Sequence, residues 1–138
     1  MSIQEFYNNT DLGPANLGQT FTNRLKDYMI QNTSLAMVPE NGELQMEGII
    51  TDFRITQVAP TVSNDPSEIT SAALSRLTVT VKVTYSNTLD EEMSFKDKTF
   101  SFYNDFDNEL NFNDISDSAI NTILDRIILD IFNASVAN

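Results

Sequence analysis

Leu74-Ser75-Arg76-Leu77-Thr78-Val79-Thr80-Val81-Lys82-Val83-Thr84-Tyr85-Ser86 decides the fold. Leu77, Val79, Val81, Val83 and Tyr85 fall on one side, and Thr78, Thr80, Lys82, Thr84 and Ser86 on the other. Successive side chains point to opposite faces of a strand, so this strict alternation predicts a strand buried on one face. β-Branched residues on both sides support the assignment. The polar face is left for water or a partner. The apolar face needs a second layer, and the C-terminal segment offers one. Ile120, Ile123, Leu124, Ile127, Ile128, Ile131 and Phe132 recur at helical period and make one apolar stripe. Asp114 or Ser116 is the expected cap of this helix, and Asp117 suits the positive end of its dipole.

Working outward, Asn87 to Glu92 reads as a turn, with Asp90-Glu91-Glu92 as a solvated acidic run. Residues 93–104 return as a strand, with Met93 and Phe95 in one phase and Phe100 and Phe102 in the other, so the phase slips near Asp97-Lys98. Upstream, Leu44, Met46, Gly48 and Ile50 alternate with polar neighbours, but Phe53 and Ile55 carry the apolar side beyond them. That slip near Ile49–Asp52 predicts a bulge or a strong twist in a long strand. Pro39-Glu40-Asn41-Gly42-Glu43 reads as a hairpin turn, because Asn-Gly supplies positive φ, with Leu35-Ala36-Met37-Val38 as the preceding strand. Leu17, Phe21, Leu25, Tyr28 and Met29 form a second helical stripe, with Asn16 as its expected N-cap. Residues 2–8 alternate as a short strand. Residues 57–73, with two prolines and many small polar residues, read as a long loop.

The order is β-α-β-β-β-β-α, or one strand fewer if 35–38 and 44–56 are one interrupted strand. The expected fold class is α+β: a two-layer sandwich with two helices packed on one face of a curved four- or five-stranded, mostly antiparallel sheet. The chain has 138 residues and shows no repeat or boundary, so a single domain over 1–138 is expected.

Composition excludes most catalysis. The chain has no Cys and no His. That removes thiolate nucleophiles, Ser-His-Asp triads, and Cys- or His-liganded metal sites. No cofactor is expected. Two carboxylates could still perform glycosidase-type chemistry, but no spacing singles out a pair. Asp105-x-Asp107-x-Glu109 resembles the start of a calcium loop, yet Leu110 stands at its glycine position and Ser116 at its closing glutamate, so a solvated loop is the reading. The formal charge is −12. An acidic surface repels phosphate backbones, so no nucleic-acid partner is expected. No apolar run reaches the ~18 residues of a membrane span.

Five of the eight basic residues lie in or beside the strands: Arg54, Arg76, Lys82, Lys96 and Lys98. Arg54 and Arg76 flank the long loop, Lys82 lies on the polar face of the 74–86 strand, and Lys96 and Lys98 share one side of the next. Together they are the candidate site for phosphate or carboxylate groups of a ligand or partner, against the plainer reading of surface charges paired with the many acids. Phe95, Phe100, Phe102, Tyr103 and Phe106 read as core in the first instance.

Four stretches carry a resemblance: Ser2-Ile3-Gln4-Glu5-Phe6-Tyr7-Asn8-Asn9-Thr10, Asn16-Leu17-Gly18-Gln19-Thr20-Phe21-Thr22, Leu44-Gln45-Met46-Glu47-Gly48-Ile49-Ile50-Thr51-Asp52-Phe53 and Leu129-Asp130-Ile131-Phe132-Asn133. Over nearly its whole length the chain resembles the LPS-assembly lipoprotein family LptE. The resemblance implies a non-enzymatic lipoprotein held on the periplasmic face of the Gram-negative outer membrane by a lipidated N-terminal Cys. It also implies a plug inside the β-barrel LptD, helping that barrel assemble and deliver lipopolysaccharide to the outer leaflet. On this reading the chain is a piece lacking its signal peptide and anchor Cys. Better-known members carry basic residues, implicated in lipopolysaccharide contact, around the hairpin between the second and third sheet strands. Here the matching loop, 57–73, has no Lys or Arg, and Arg54 and Arg76 stand at its ends. The rival expectation is a stand-alone periplasmic or surface lipoprotein that binds a glycan or lipid in a pocket lined by Phe95, Phe100 or Phe102.

Overall fold

A computed structural model describes residues 1–58, 74–107 and 112–136, with the backbone alone at 107 and 112–116. Its elements are β1 (Ser2–Ile3), β2 (Tyr7–Asn8), α1 (Leu17–Asn32), β3 (Leu44–Val58), β4 (Leu74–Asn87), a 3-10 turn at Glu91–Met93, β5 (Phe95–Asp107) and α2 (Phe112–Ala134). The sheet runs β1-β3-β4-β5, with β2 also on β3. β3, β4 and β5 pair antiparallel, whereas β1 and β2 pair parallel to β3. The expected α+β sandwich is therefore the fold, with a mixed five-stranded sheet.

The alternation of the deciding strand sets the layers. Leu77, Val79, Val81 and Val83 are fully buried and Tyr85 nearly so, while Lys82 on the opposite face is exposed. Ile123, Leu124, Ile127, Ile128 and Ile131 of α2 and Leu17, Phe21, Leu25 and Met29 of α1 meet them in one core. α2 lies chiefly over β5. Between the helices Arg24 bonds Asp125 and Asn121, and the Tyr28 and Phe132 rings meet edge-on at 5.2 Å.

Both phase slips are irregularities of the ladder. The β3–β4 register shifts between Ile50 and Asp52, leaving Thr51 without a partner across the pair. In β5 the register shifts between Val83 and Tyr85, and Asp97 has φ 51°. Two residues, Lys96 and Asp97, thus stand opposite Thr84, and the Asp97 N–H donates to the Thr84 hydroxyl at 3.1 Å.

Several local expectations give way. Residues 35–38 form no strand. The place beside β3 is taken by β1, with Ser2 opposite Gln45, so Leu35 and Met37 pack on the core without a ladder. The segment is tied to Met1 at two points: Val38 N–H donates to the Met1 carbonyl, and the Met1 ammonium donates to the Ala36 carbonyl. Asn41 does adopt the left-handed φ of 58°, but its turn opens β3 instead of closing a hairpin. Asn16 makes no side-chain cap; its backbone carbonyl accepts from Thr20, and Leu17 N–H turns to the Pro14 carbonyl. α2 begins at Phe112, so Asp114 and Ser116 lie within its first turns and neither is its cap. Gln57 and Val58 extend β3, and the rest of the loop expected at 57–73 lies outside the described residues.

The N-terminal strand is broken at Phe6, which leaves the edge and enters the core. Its N–H donates to Thr22 Oγ1 at 2.8 Å, and that hydroxyl donates to the Gly18 carbonyl at 2.8 Å. A Cβ at Gly18 would stand 2.1 Å from the Phe6 carbonyl oxygen. Both sides of that contact are backbone, so neither can swing aside. In a helix interior Gly→Ala ordinarily stabilises by about 0.5–1 kcal/mol. Gly18→Ala is expected to reverse that sign and cost about 1–3 kcal/mol, the range for overpacking. Chemical denaturation of parent and variant reads the sign directly.

Candidate functional site

The face of the sheet away from the helices carries no element among the described residues. Register fixes what stands on it. Across three strands lie Asp52, Thr80 and Ser101; then Arg54, Thr78 and Tyr103; then Thr56, Arg76 and Asp105. Thr78 and Thr80 of β4 form a low floor between Asp52 and Arg54 of β3 and Ser101 and Tyr103 of β5, and Arg76 rises from β4 at the end of it.

Arg76 is held from two directions. Its Nε and Nη2 donate to the two carboxylate oxygens of Asp105 at 2.7 and 3.0 Å, and its guanidinium lies 4.0 Å from the centre of the Tyr103 ring. The planar fork suits both contacts at once. Hydrogen bonding by Arg76 holds the Asp105 carboxyl below its ordinary range, against a smaller opposing effect of desolvation. Arg54 is exposed and pairs with Asp52 at 3.4 Å. Two exposed charges at that separation hold each other weakly, so Arg54 stays available to an incoming anion.

Lys82 stands farther along the same face, between Ile49 and Thr99. It lines an open depression of about 300 Å³ with Gln4, Tyr7, Glu47 and Asp97. Lys96 is exposed on the bulge. Lys98 is opposite Val83 in register, and its ammonium lies 5.4 and 5.7 Å from the Phe95 and Phe100 ring centres, so it belongs to the helix side of the sheet edge. The structure brings Arg54, Arg76 and Lys82 to one face and separates Lys98 from them. The expectation that Lys96 and Lys98 share a side ignores the residue that the bulge inserts between them.

Tyr103 and Asp105 are the members of this face that charge alone did not single out. Their period-2 spacing from Ser101 would have marked them once β5 was known to reach Asp107. Asp105, the first acid of the stretch read above as a solvated loop, is committed to Arg76, and residues 108–111 of that stretch lie outside the described residues. Among the described residues no group of three acidic side chains is arranged to hold a metal ion, and no helix is long and apolar enough to cross a membrane. Phe100 is buried, and Phe95, Phe102 and Phe106 pack against the core, as their first reading expected, whereas Tyr103, read as core with them, is exposed on the outer face because its place in the alternation puts it beside Thr78. The rings invoked for a ligand pocket are therefore spent on stability.

A family model described as LptE, lipopolysaccharide-assembly, matches residues 1–135. No curated protein sequence matches the chain. Among solved structures, a hypothetical protein from Chlamydia trachomatis superposes with a TM-score of 0.62 at 10% identity, covering 99% of this chain and 97% of that one. An uncharacterized lipoprotein B from Nitrosomonas europaea superposes with a TM-score of 0.52 at 10% identity, covering 94% and 81%. At those identities the likeness is one of fold.

Proposed function

This chain belongs to the LptE lipopolysaccharide-assembly family, and from that membership we propose that it plugs and helps assemble the β-barrel LptD. In that role it aids passage of lipopolysaccharide to the outer leaflet and is itself no enzyme. The observation that carries the reading is the extent of the family match, residues 1–135, which takes in both helices and every strand. The reading includes a single domain over 1–138, held at the periplasmic face of the outer membrane by a lipid anchor. The architecture supports a scaffold: helices cover one face of the sheet, and among the described residues the other face offers a broad polar surface.

Arg54, Arg76, Lys82, Lys96 and Lys98 are proposed to contact the barrel or lipopolysaccharide, with Arg54, Arg76 and Lys82 acting together on the uncovered face. A chain of net charge −12 attracts no anion at long range. Such contacts form only after docking, and they act through short-range, directional hydrogen bonds.

Two measurements test the reading. Affinity capture of the lipidated protein from native outer membranes is expected to bring down a large β-barrel in stoichiometric amount; recovery of the protein alone overturns it. Charge reversal of Arg54, Arg76 or Lys82 is expected to weaken binding of barrel or lipopolysaccharide about fivefold each, the equivalent of roughly 1 kcal/mol, with the melting transition kept. Unchanged binding in all three removes the basic face from the mechanism.

A further inference from the structure

Both helices stop at the same end of the sheet, and the described residues leave a space beyond their ends. α1 closes on Thr33, whose N–H bonds the Met29 carbonyl, and α2 on Ser135, whose N–H bonds the Ile131 carbonyl. β4 runs on to Asn87, and the 3-10 turn at Glu91–Met93 folds back beside it. A cavity of about 330 Å³ lies between these elements. Leu35, Leu44, Met93 and Val136 line it with apolar side chains, and Asp90, which lines it too, is exposed to solvent. Its size is at the lower end of the range for small-molecule sites, ~300–1,000 Å³.

Tyr85 reaches this cavity from the core. It is 1% exposed, and its ring is fixed beside the Phe95 ring at 5.4 Å. Asn87 Nδ2 donates to the Tyr85 hydroxyl oxygen at 3.4 Å, a long bond. The hydroxyl's own proton has no acceptor among the described residues. A buried donor without a partner is costly and uncommon in a folded protein. Burial raises the Tyr85 pKa, so the group keeps that proton at neutral pH and stays a donor. Two acceptors line the same cavity. Ser135 Oγ donates to the Ile131 carbonyl at 2.6 Å and has lone pairs left over. One Asp90 carboxylate oxygen accepts the Glu92 N–H at 3.2 Å, which leaves the other. No Lys or Arg is among the described residues that line the cavity.

We propose that this cavity binds a small neutral alcohol with an apolar body. The ligand hydroxyl accepts from Tyr85 O–H and donates to the Asp90 carboxylate or to Ser135 Oγ. Its hydrocarbon part lies on the apolar wall. A hydroxyl both accepts and donates, so it supplies the acceptor that Tyr85 lacks and finds one for its own proton. A carboxylate on the same body has no proton to give at neutral pH. It also faces Asp90 and meets no cation, so its charge would be desolvated unpaired. A plain hydrocarbon leaves the Tyr85 proton without a partner. The site lies on the helix side of the sheet and uses none of Arg54, Arg76 and Lys82, so it is independent of the proposed function.

Titration of the full chain with 1-hexanol, followed by NMR shifts of amides and methyl groups, is the test. Saturable shifts are expected at Leu35, Leu44, Tyr85 and Val136, with a Kd of about 1–10 mM for so small a probe. Hexanoate is expected to bind at least ~tenfold more weakly. Tyr85→Phe keeps the ring and removes the donor. It is expected to weaken hexanol binding about fivefold and to keep the melting transition of the parent. Should that variant not fold, Val136→Trp takes its place: it fills the cavity and is expected to abolish the shifts at Leu35, Leu44 and Tyr85. Absence of saturable shifts at these residues up to ~20 mM hexanol overturns the proposal. Equal binding of hexanoate and hexanol overturns it too, as does a folded Tyr85→Phe or Val136→Trp chain that binds hexanol like the parent.

Discussion

Ile127→Asp is expected to abolish the cooperative thermal transition at neutral pH. Ile127 has no exposed surface and sits in the core between α2 and the sheet. The substitution removes an apolar side chain worth about 1.5–3 kcal/mol of burial. It also strands a carboxylate without a partner, a penalty of several kcal/mol in practice. Domains of this kind have only about 5–15 kcal/mol in hand. Circular dichroism during heating checks the outcome. Partial recovery of the transition near pH 4, where the carboxyl takes up a proton, would identify the charge as the cause. A variant that melts like its parent at neutral pH would mean that this face of α2 does not meet the sheet.

Phe6→Ala is expected to cost about 3–5 kcal/mol, the range for emptying an aromatic site in a core. The Phe6 ring is fully buried and meets the Phe21 ring at 5.0 Å. It also lies on Gly48, where a Cβ would stand 2.5 Å from its edge. The ring thus fills the space that the absent side chain of Gly48 opens in the sheet, and it joins that sheet to α1. Denaturant titration measures the loss. A cost under about 1 kcal/mol would mean that neighbouring side chains collapse into the site.

The sequence made the layers legible because burial on one face of a strand imposes a period that few other structures share. Leu77 to Tyr85 could be placed on that ground alone, and the stripes of α1 and α2 likewise. Even the slips at Thr51 and Asp97 showed, since a bulge shifts the period without erasing it. What stayed hidden was competition between segments. Leu35 to Val38 and the Asn-Gly turn are good local signals for a hairpin, but β1 arrives from far along the chain and takes the place beside β3. Local reading cannot rank two strands bidding for one edge. The site divides in the same way. Lys82 was placed on a face by parity, and Arg54 and Arg76 only at the ends of the long loop. The fork of Arg76 on Asp105, its stacking on Tyr103 and the position of Lys98 depend on cross-strand register, which a single strand does not carry.

The parallel pairing of β1 with β3 has a kinetic consequence. β4 with β5 closes through a short turn, so that pair can form early from residues near in sequence. β1 must wait until β3 is in place, and it then closes across the whole of α1. The segment that leads the chain is therefore expected to be among the last to dock and the first to detach. If it detaches while the antiparallel strands hold, it uncovers the near edge of β3 and the seat of Phe6. Residues 1–8 would then act as a latch on an otherwise assembled sheet, released and refastened without unfolding the rest.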